Sequence, residues 1–292
     1  MLGQVLRSSA GGLGTVNYHL LYPCNMGCKF CFATFLDSRR QGPPLRRADA
    51  LELVDCLCHA GATKINFVGG EPTLVDWLPD LIRAAKLHGV TTSIVTNGSR
   101  LTEGWLDDIA PWLDIIALSI DSVDPETQRR IGRVEEGKEP ISAERYCTLA
   151  ALIKSRGIRL KVNTVVNAFN ADEELWPFVR DLGPERWKIF QALRVEGQND
   201  AAFETVRVTL EQFESYVERN RLVGQCGVTV VPENNELMTA SYRMVDPWGR
   251  FFDDSQGRHT YSRPILEVGV GAALDEVTFD RDKFVERGGD YV

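Results

Sequence analysis

Three closely spaced cysteines constrain this sequence more than any other feature. Cys24, Cys28 and Cys31 form a C-x3-C-x2-C spacing directly after an apolar segment, within the stretch VNYHLLYPCNMGCKFCFATF (residues 16–35). Three thiolates so close together can wrap one metal site inside a single loop. A structural zinc site would need a fourth thiolate or imidazole, and the nearest imidazole, His19, lies on the preceding predicted strand. A [4Fe–4S] cluster on three cysteines instead leaves one iron open to bind a substrate or a cofactor.

The composition excludes several classes of protein. The 292 residues carry 33 basic and 41 acidic side chains, and the net charge of −8 argues against general binding to nucleic acid or to an anionic membrane. The sequence shows neither a secretory signal nor an apolar run of membrane-spanning length. The seven cysteines are an odd number without a disulfide-like spacing, which is typical of a reducing compartment. We therefore expect a cytoplasmic protein.

Short apolar segments rich in β-branched residues alternate with helix-like segments along most of the chain. The predicted strands lie at 15–21, 63–68, 91–96, 114–120, 159–166 and 186–193. Such alternation is typical of a parallel sheet covered by helices, and we predict a partial (βα)6 TIM-like barrel over residues 15–195. Residues 1–14 are expected to be a flexible N-terminus, and residues 196–292 a C-terminal α+β extension that closes the substrate site. No seventh or eighth strand of similar quality is evident.

Basic residues occupy one face of several predicted strands. Side chains two apart on a strand point to the same side of a sheet, and here polar or cationic residues alternate with apolar ones. If the apolar faces meet the helices, the barrel lumen holds four cations: Lys64, Lys161, Arg186 and Lys188. No matching acidic residues occur at neighbouring positions of the same face. Unpaired buried cations are costly, so either a polyanion such as a triphosphate binds them or some of them reach solvent at the strand ends.

Two further features accompany the cysteines. Phe30 precedes the last cysteine, and G-G-E-P (Gly69–Pro72) follows the second predicted strand, where two glycines let the backbone approach a ligand closely. Together these motifs resemble the radical S-adenosylmethionine (SAM) enzymes. In that family the open iron of a [4Fe–4S] cluster binds the methionine part of SAM, and an electron from the reduced cluster splits SAM to a 5′-deoxyadenosyl radical. The resemblance implies both cofactors and an external electron donor.

Other segments resemble one family of radical SAM enzymes, the viperins, in order and spacing. They include VNYH, KINF, RWKIFQ and the tail RGGDYV, and the resemblance covers nearly the whole chain from Val16 onward. Viperins dehydrate a ribonucleoside triphosphate: the radical takes the hydrogen from ribose C4′, the 3′-hydroxyl leaves as water, and a 3′-deoxy-3′,4′-didehydro nucleotide results. This product terminates chain synthesis by polymerases, which gives the family its antiviral role.

The resemblance also implies a role for each residue at a matching position. Cys24, Cys28 and Cys31 would hold the cluster, and Tyr242 would be the catalytic residue that closes on the substrate and helps the proton or electron step. The residues implied to surround SAM are Phe30, Gly69, Gly70, Glu71, Asn97, Ser119 and Arg133. The residues implied to bind the nucleotide, with Asn17 at the ribose, are Asn17, Lys64, Lys161, Asn163, Arg186 and Lys188.

Differences from animal viperins and alternative functions leave the identity of the substrate undecided at this point. Asp290 stands where animal viperins have a lysine, and Val68 where they have a serine. A pyrimidine triphosphate, CTP or UTP, is favoured, although the base preference does not carry over with the motifs and guanine stays open as well. The alternatives are a radical SAM enzyme acting on a peptide or on another phosphorylated metabolite, and a structural zinc or iron–sulfur module. Peptide-modifying members often have a cysteine-rich C-terminal domain, whereas only Cys226 lies beyond residue 195 here. We expect a monomer that binds neither nucleic acid nor membranes.

Overall fold

A computed structural model describes residues 12–289 and Tyr291 of the chain. Residues 1–11, most of the predicted flexible N-terminus, lie outside the described part, as do Asp290 and Val292. The last residues of that predicted terminus belong to the fold, because Leu13 is buried and Gly14 begins the first strand.

The described residues form one ten-stranded sheet with the spatial order β10-β9-β8-β1-β2-β3-β4-β5-β6-β7. Its strands are β1 (Gly14–His19), β2 (Ala62–Val68), β3 (Thr91–Thr96), β4 (Ile115–Ser119), β5 (Arg159–Val166), β6 (Arg186–Gln191), β7 (Thr229–Glu233), β8 (Met244–Val245), β9 (Arg250–Asp253) and β10 (Thr260–Pro264). Strands β1 to β6 pair in parallel in chain order, which confirms the predicted parallel α/β architecture.

Helices connect the strands and form the outer layer. They are α1 (Arg47–His59), α2 (Leu78–Leu87), α3 (Glu103–Ile109), α4 (Pro125–Ile131), α5 (Ala143–Ser155), α6 (Trp176–Leu182), α7 (Asp200–Val206), α8 (Leu210–Asn220), α9 (Asn235–Met238), α10 (Ile265–Val268), α11 (Val270–Leu274) and α12 (Arg281–Glu286). Local capping fixes several of their starts. At α8, for example, Thr209 and Gln212 form a reciprocal capping box. No helix among the residues described combines the length and the apolar character needed to cross a membrane.

The C-terminal extension widens the sheet at both edges, which the sequence did not reveal. β7 pairs in parallel with β6, and β8 pairs in parallel with β1 before the antiparallel β9 and β10. The sequence marks no seventh strand of similar quality, yet β7 continues the parallel order of β1 to β6. β7 is short and contains Pro232, a residue that an edge strand tolerates but that weakens any strand pattern in a sequence.

The parallel strands turn their apolar faces toward the helices and their polar faces inward. On β1 and β2 the side chains of Val16, Tyr18, Ile65 and Phe67 are fully buried in one hydrophobic cluster with Leu53 and other helix residues. The alternate positions are polar. Because parallel sheets covered by helices are usually apolar on both faces, a polar inner face indicates a space built for a ligand.

Candidate active site

The polar inner face of the sheet borders a cavity of about 330 Å³. Every residue that the sequence motifs or the viperin resemblance assigned to the site lines this cavity. The cysteine loop and the G-G-E-P turn follow the carboxyl ends of β1 and β2, whereas Lys64, Lys161 and Arg186 lie toward the beginning of their strands. The cavity therefore has a thiol-lined upper end and a cationic lower end.

The cysteine loop is held by the end of α4. The amide of Gly27 donates to the carbonyl of Gly132 (3.0 Å), and the amide of Lys29 donates to the carbonyl of Ile131 (2.9 Å). Gly132 has a φ of 86°, and a Cβ on it would lie 2.2 Å from the Gly27 carbonyl oxygen. Only glycine allows the helix end to come this close to the loop.

The three thiols have the character of ligands for a polynuclear cluster. All three are free; Cys24 is exposed, and Cys28 and Cys31 are half-buried. Desolvation raises the pKa of each thiol, that of Cys28 to about 12, so a bound metal has to displace the protons.

The three cysteine sulfurs do not all lie within 4.8 Å of one another. Within the described part of the chain, the one group of three His, Cys, Asp or Glu donors whose ligand atoms all lie within 4.8 Å of one another is Asp55, His59 and His88, on the surface. The cysteine sulfurs do not meet this limit, so they fit a [4Fe–4S] cluster better than one zinc ion.

His19 does not complete a zinc site with the cysteines, because within the described residues it belongs to no group of three donors whose ligand atoms lie within 4.8 Å of one another. Its ring is buried in an aromatic cluster, with centroids 5.4 Å from Phe35 and 5.3 Å from Phe252, and burial lowers the pKa of the imidazole to about 3. The cluster continues through His259, which is also buried. This aromatic wall shields one side of the cysteine loop.

The G-G-E-P turn packs directly on the start of the cysteine loop. The amide of Gly70 donates to the carbonyl of Leu21 (2.7 Å), and the amide of Glu71 donates to that of Pro23 (3.2 Å). The carboxylate of Glu71 is buried and accepts hydrogen bonds from the Thr96 hydroxyl (2.6 Å) and the Asn97 amide (2.8 Å). Glu71 therefore joins the β2 and β3 loops around the cavity.

Arg133 is fixed beside the cysteines by an acidic partner that the sequence analysis missed. Its guanidinium forms a buried ion pair with Asp121, which follows β4, and lies 5.8 Å from the ring centroid of Phe30. Asp121 also accepts from the amide of Val165 (2.8 Å). Although burial opposes the charge, Asp121 raises the pKa of Arg133, which leaves a permanent cation near the thiols.

The four predicted cations line the lower end of the cavity. Lys64, Arg186 and Lys188 are buried and Lys161 is half-buried. Burial, and after it repulsion from the neighbouring cations, lowers the pKa of Lys64 to about 7 and the pKa of Lys161 well below its usual value. A bound anion would relieve both the repulsion between these cations and the cost of their burial.

One carboxylate does lie behind these cations, contrary to the expectation that none would match them. Glu233, the last residue of β7, is completely buried and forms an ion pair with Lys188. Its carboxylate also accepts a hydrogen bond from the Tyr242 hydroxyl and lies 3.8 Å from the Arg287 guanidinium. No sequence pattern marked these two residues, because Glu233 ends the short, proline-containing β7 and Arg287 directly follows α12.

The end of the chain covers the lower end of the cavity. The ring of Tyr291 lies 5.0 Å from the Lys64 ammonium and 4.7 Å from the Arg186 guanidinium, and its hydroxyl donates to Glu185 (2.8 Å). Arg186 also donates to the carbonyl of Gly288 (3.0 Å). The nearby Asp290, a departure from animal viperins, lies outside the described residues.

Comparison with known proteins agrees with the fold and with the cysteine loop. The model of the radical SAM superfamily matches residues 20–182. In overall fold the chain resembles Streptococcus suis SuiB bound to SAM (TM-score 0.68, 16% identity, 93% of this chain and 67% of that one). It equally resembles anSMEcpe with bound SAM and a peptide (TM-score 0.68, 14% identity, 96% of this chain and 84% of that one). By fold and by cysteine loop, this is a radical SAM enzyme.

Similar sequences identify the family within the radical SAM superfamily. A protein of Flammeovirga pacifica named S-adenosylmethionine-dependent nucleotide dehydratase is 45% identical over 280 residues, 95% of each chain. The Danio rerio dehydratase RSAD2 is 36% identical over 95% of this chain and 77% of that protein. A Lacinutrix mariniflava dehydratase is 48% identical over 95% of this chain, which spans only 58% of that relative. The chain belongs to the family of S-adenosylmethionine-dependent nucleotide dehydratases, as the resemblance to viperins predicted.

Proposed function

We propose that this chain dehydrates a ribonucleoside triphosphate to its 3′-deoxy-3′,4′-didehydro analogue by removal of the hydrogen at ribose C4′. One observation carries the proposal: a single cavity holds three cluster-type thiols at one end and four cations at the other. A triphosphate bound to the cations places its ribose between them and the thiols. The names of the similar proteins support the same reaction, and the antiviral role of its product follows from chain termination.

At the upper end, the chain would hold both cofactors. Cys24, Cys28 and Cys31 would bind the cluster, which together with SAM supplies the 5′-deoxyadenosyl radical. The residues that would surround SAM are Phe30, Gly69, Gly70, Glu71, Asn97, Ser119 and Arg133, and Glu71 joins the β2 and β3 loops that carry Gly69, Gly70 and Asn97. Asp121 keeps the Arg133 cation in place near the cofactor.

In the middle and lower parts, polar side chains would orient the nucleotide. The amide nitrogen of Asn66 donates to the Asn17 carbonyl oxygen (2.7 Å), which leaves the Asn17 amide nitrogen to donate to a ribose hydroxyl. Asn163 has a buried carbonyl oxygen without a hydrogen-bond donor among the described groups, so it can accept from the substrate. Lys64, Lys161, Arg186 and Lys188 would bind the phosphate oxygens.

Tyr242 lines the cavity and contacts its cationic end. Its hydroxyl donates to Glu233 and accepts from the Lys188 ammonium (3.1 Å). This places the phenol next to a phosphate-binding group, where it would assist the proton or electron step after C4′ has lost its hydrogen. All these residues come from one chain, so the proposal requires no second subunit, and the free cysteines suit a reducing cytoplasm.

Anaerobic assay of the reconstituted protein tests the proposal. With SAM and dithionite, CTP or UTP is expected to give the didehydro nucleotide by mass spectrometry, with release of 5′-deoxyadenosine above the nucleotide-free background. A Cys28→Ala variant, which cannot hold the cluster, serves as the control. If none of the common nucleoside triphosphates raises 5′-deoxyadenosine release or yields this product, the substrate assignment fails, and peptides or other phosphorylated metabolites become the compounds to examine.

A further inference from the structure

Glu233 makes contacts that are not needed for holding phosphate. It does not line the cavity but lies behind two residues that do, Lys188 and Tyr242. A carboxylate behind an anion site weakens the field that attracts a triphosphate. Its complete burial among partners therefore indicates a different task.

The hydrogen bonds of the Tyr242 hydroxyl indicate what Glu233 does. A phenol can donate one hydrogen bond, and in this structure the Glu233 carboxylate accepts it. The Lys188 ammonium donates to the same oxygen at 3.1 Å. Both hydrogen-bonding directions of the hydroxyl are thus set by charged groups, and charge-assisted hydrogen bonds are the stronger kind.

A second set of contacts fixes the aromatic ring of Tyr242. The Arg287 guanidinium lies 3.5 Å from the centroid of the Tyr242 ring, and Ser241 holds that guanidinium through its hydroxyl (2.9 Å) and its carbonyl (2.6 Å). Arg287 also lies 3.8 Å from the Glu233 carboxylate. The ring plane and the hydroxyl therefore depend on the same carboxylate, directly and through Arg287.

We propose that Glu233 is a positioning residue that holds the Tyr242 hydroxyl in the orientation required after hydrogen abstraction. This inference rests on the proposed dehydratase function. Glu233 acts through Tyr242 and not through the nucleotide, so its loss affects what becomes of the substrate radical more than it affects binding. When the phenol is misplaced, the C4′ radical instead takes an electron from the external donor and a proton from water, so the nucleotide is recovered unchanged while 5′-deoxyadenosine forms without didehydro product.

The test uses Glu233→Gln, which keeps the size and an acceptor oxygen but removes the charge. In the reconstituted holoenzyme we expect the ratio of didehydro product to 5′-deoxyadenosine to fall at least about tenfold. Nucleotide-free SAM cleavage is expected to stay near wild type, and nucleotide affinity is expected to hold or to rise, because the variant removes a negative charge behind the cations. Glu233→Asp, which keeps the charge, is expected to recover part of the ratio. Glu236→Gln, an exposed neighbour on α9, is the matched control and should behave as wild type.

A double-mutant cycle identifies the path of the effect. If Glu233 acts through Tyr242, the Glu233→Gln/Tyr242→Phe double variant is no worse than Tyr242→Phe alone. An additive loss would overturn the inference, and so would a Glu233→Gln variant that raises the nucleotide KM while keeping the product ratio, because Glu233 would then act through Lys188. Should Glu233→Gln fail to fold by circular dichroism, Glu233→Asp in the same cycle decides. A wild-type enzyme that forms no didehydro product refutes the proposed function itself, a result distinct from all of these.

Discussion

Gly70 lies against the backbone of Pro23 so closely that a Cβ on it would be 1.8 Å from the Pro23 carbonyl oxygen. Pro23 immediately precedes the first ligand cysteine, so this contact joins the G-G-E-P turn to the start of the metal-binding loop. The close approach explains why the motif needs glycine at this position without reference to any bound group.

Gly70→Ala is expected to push the cysteine loop away from the turn, because the obstructing atom is backbone and cannot rotate aside. Iron content after reconstitution, the cluster absorbance and SAM affinity should all fall at least about tenfold. Gly104→Ala is the matched control: it lies in α3 with open space around it, and alanine there should stabilise the helix by about 0.5–1 kcal/mol. Normal iron content in Gly70→Ala would contradict the account.

Lys161→Ala and Lys188→Ala should each weaken triphosphate binding by about 1.5–3 kcal/mol, which is roughly tenfold or more in kcat/KM. Uncoupled cleavage of SAM should continue, since neither lysine touches the cysteine loop. Arg221→Ala removes one exposed positive charge paired only with Glu218 among the described contacts, and it serves as the charge-matched control. Unchanged nucleotide kinetics in both lysine variants would rule out the cationic end as the phosphate site.

Nucleotide affinity should depend on pH between about 7 and 9. In the free protein burial lowers the pKa of Lys64 to about 7 and that of Lys188 to about 8, so these ammonium groups lose their protons as pH rises through this range. A bound triphosphate raises both pKa values again, so binding takes up protons and weakens as pH rises. Calorimetry in two buffers of different ionisation enthalpy measures the uptake. Equal affinity at pH 6.5 and 9 without uptake would contradict the prediction.

Asp121→Ala should be strongly destabilising because it leaves the buried Arg133 guanidinium without its carboxylate. Breaking a buried ion pair on one side costs about 3–5 kcal/mol, measurable as a lower midpoint of denaturant unfolding. The Asp121→Ala/Arg133→Met double variant should recover much of this stability but not SAM affinity. A single variant as stable as wild type would show that water already solvates Arg133.

Tyr291→Ala should weaken triphosphate binding about threefold to tenfold, because the ring that packs on Lys64 and Arg186 is lost. Tyr291→Phe keeps the ring and removes only the hydrogen bond to Glu185, so it should bind nearly as wild type. If the two variants weaken binding equally, the hydroxyl rather than the ring matters.

The parallel core and the cavity lining were predictable because each rests on a short-range pattern. Alternation along β2, β5 and β6 put Lys64, Lys161 and Lys188 on the inner face, and the structure places them there. The cysteine spacing likewise located the upper end. Both depend only on residues close together in the chain.

What the sequence did not reveal depends on contacts between distant segments. Glu233 meets Lys188 only because the short, proline-containing β7 pairs with β6. Asp121 meets Arg133 across α4, a separation that no periodicity marks. The positions of the cations could therefore be predicted from the sequence, whereas their acidic partners became evident only from the fold.

A late segment of the chain supplies part of the cavity wall through Arg287, Gly288, Gly289 and Tyr291, so β1 and this segment share one pocket. During synthesis the barrel strands emerge long before this segment, and nucleotide binding has to await it.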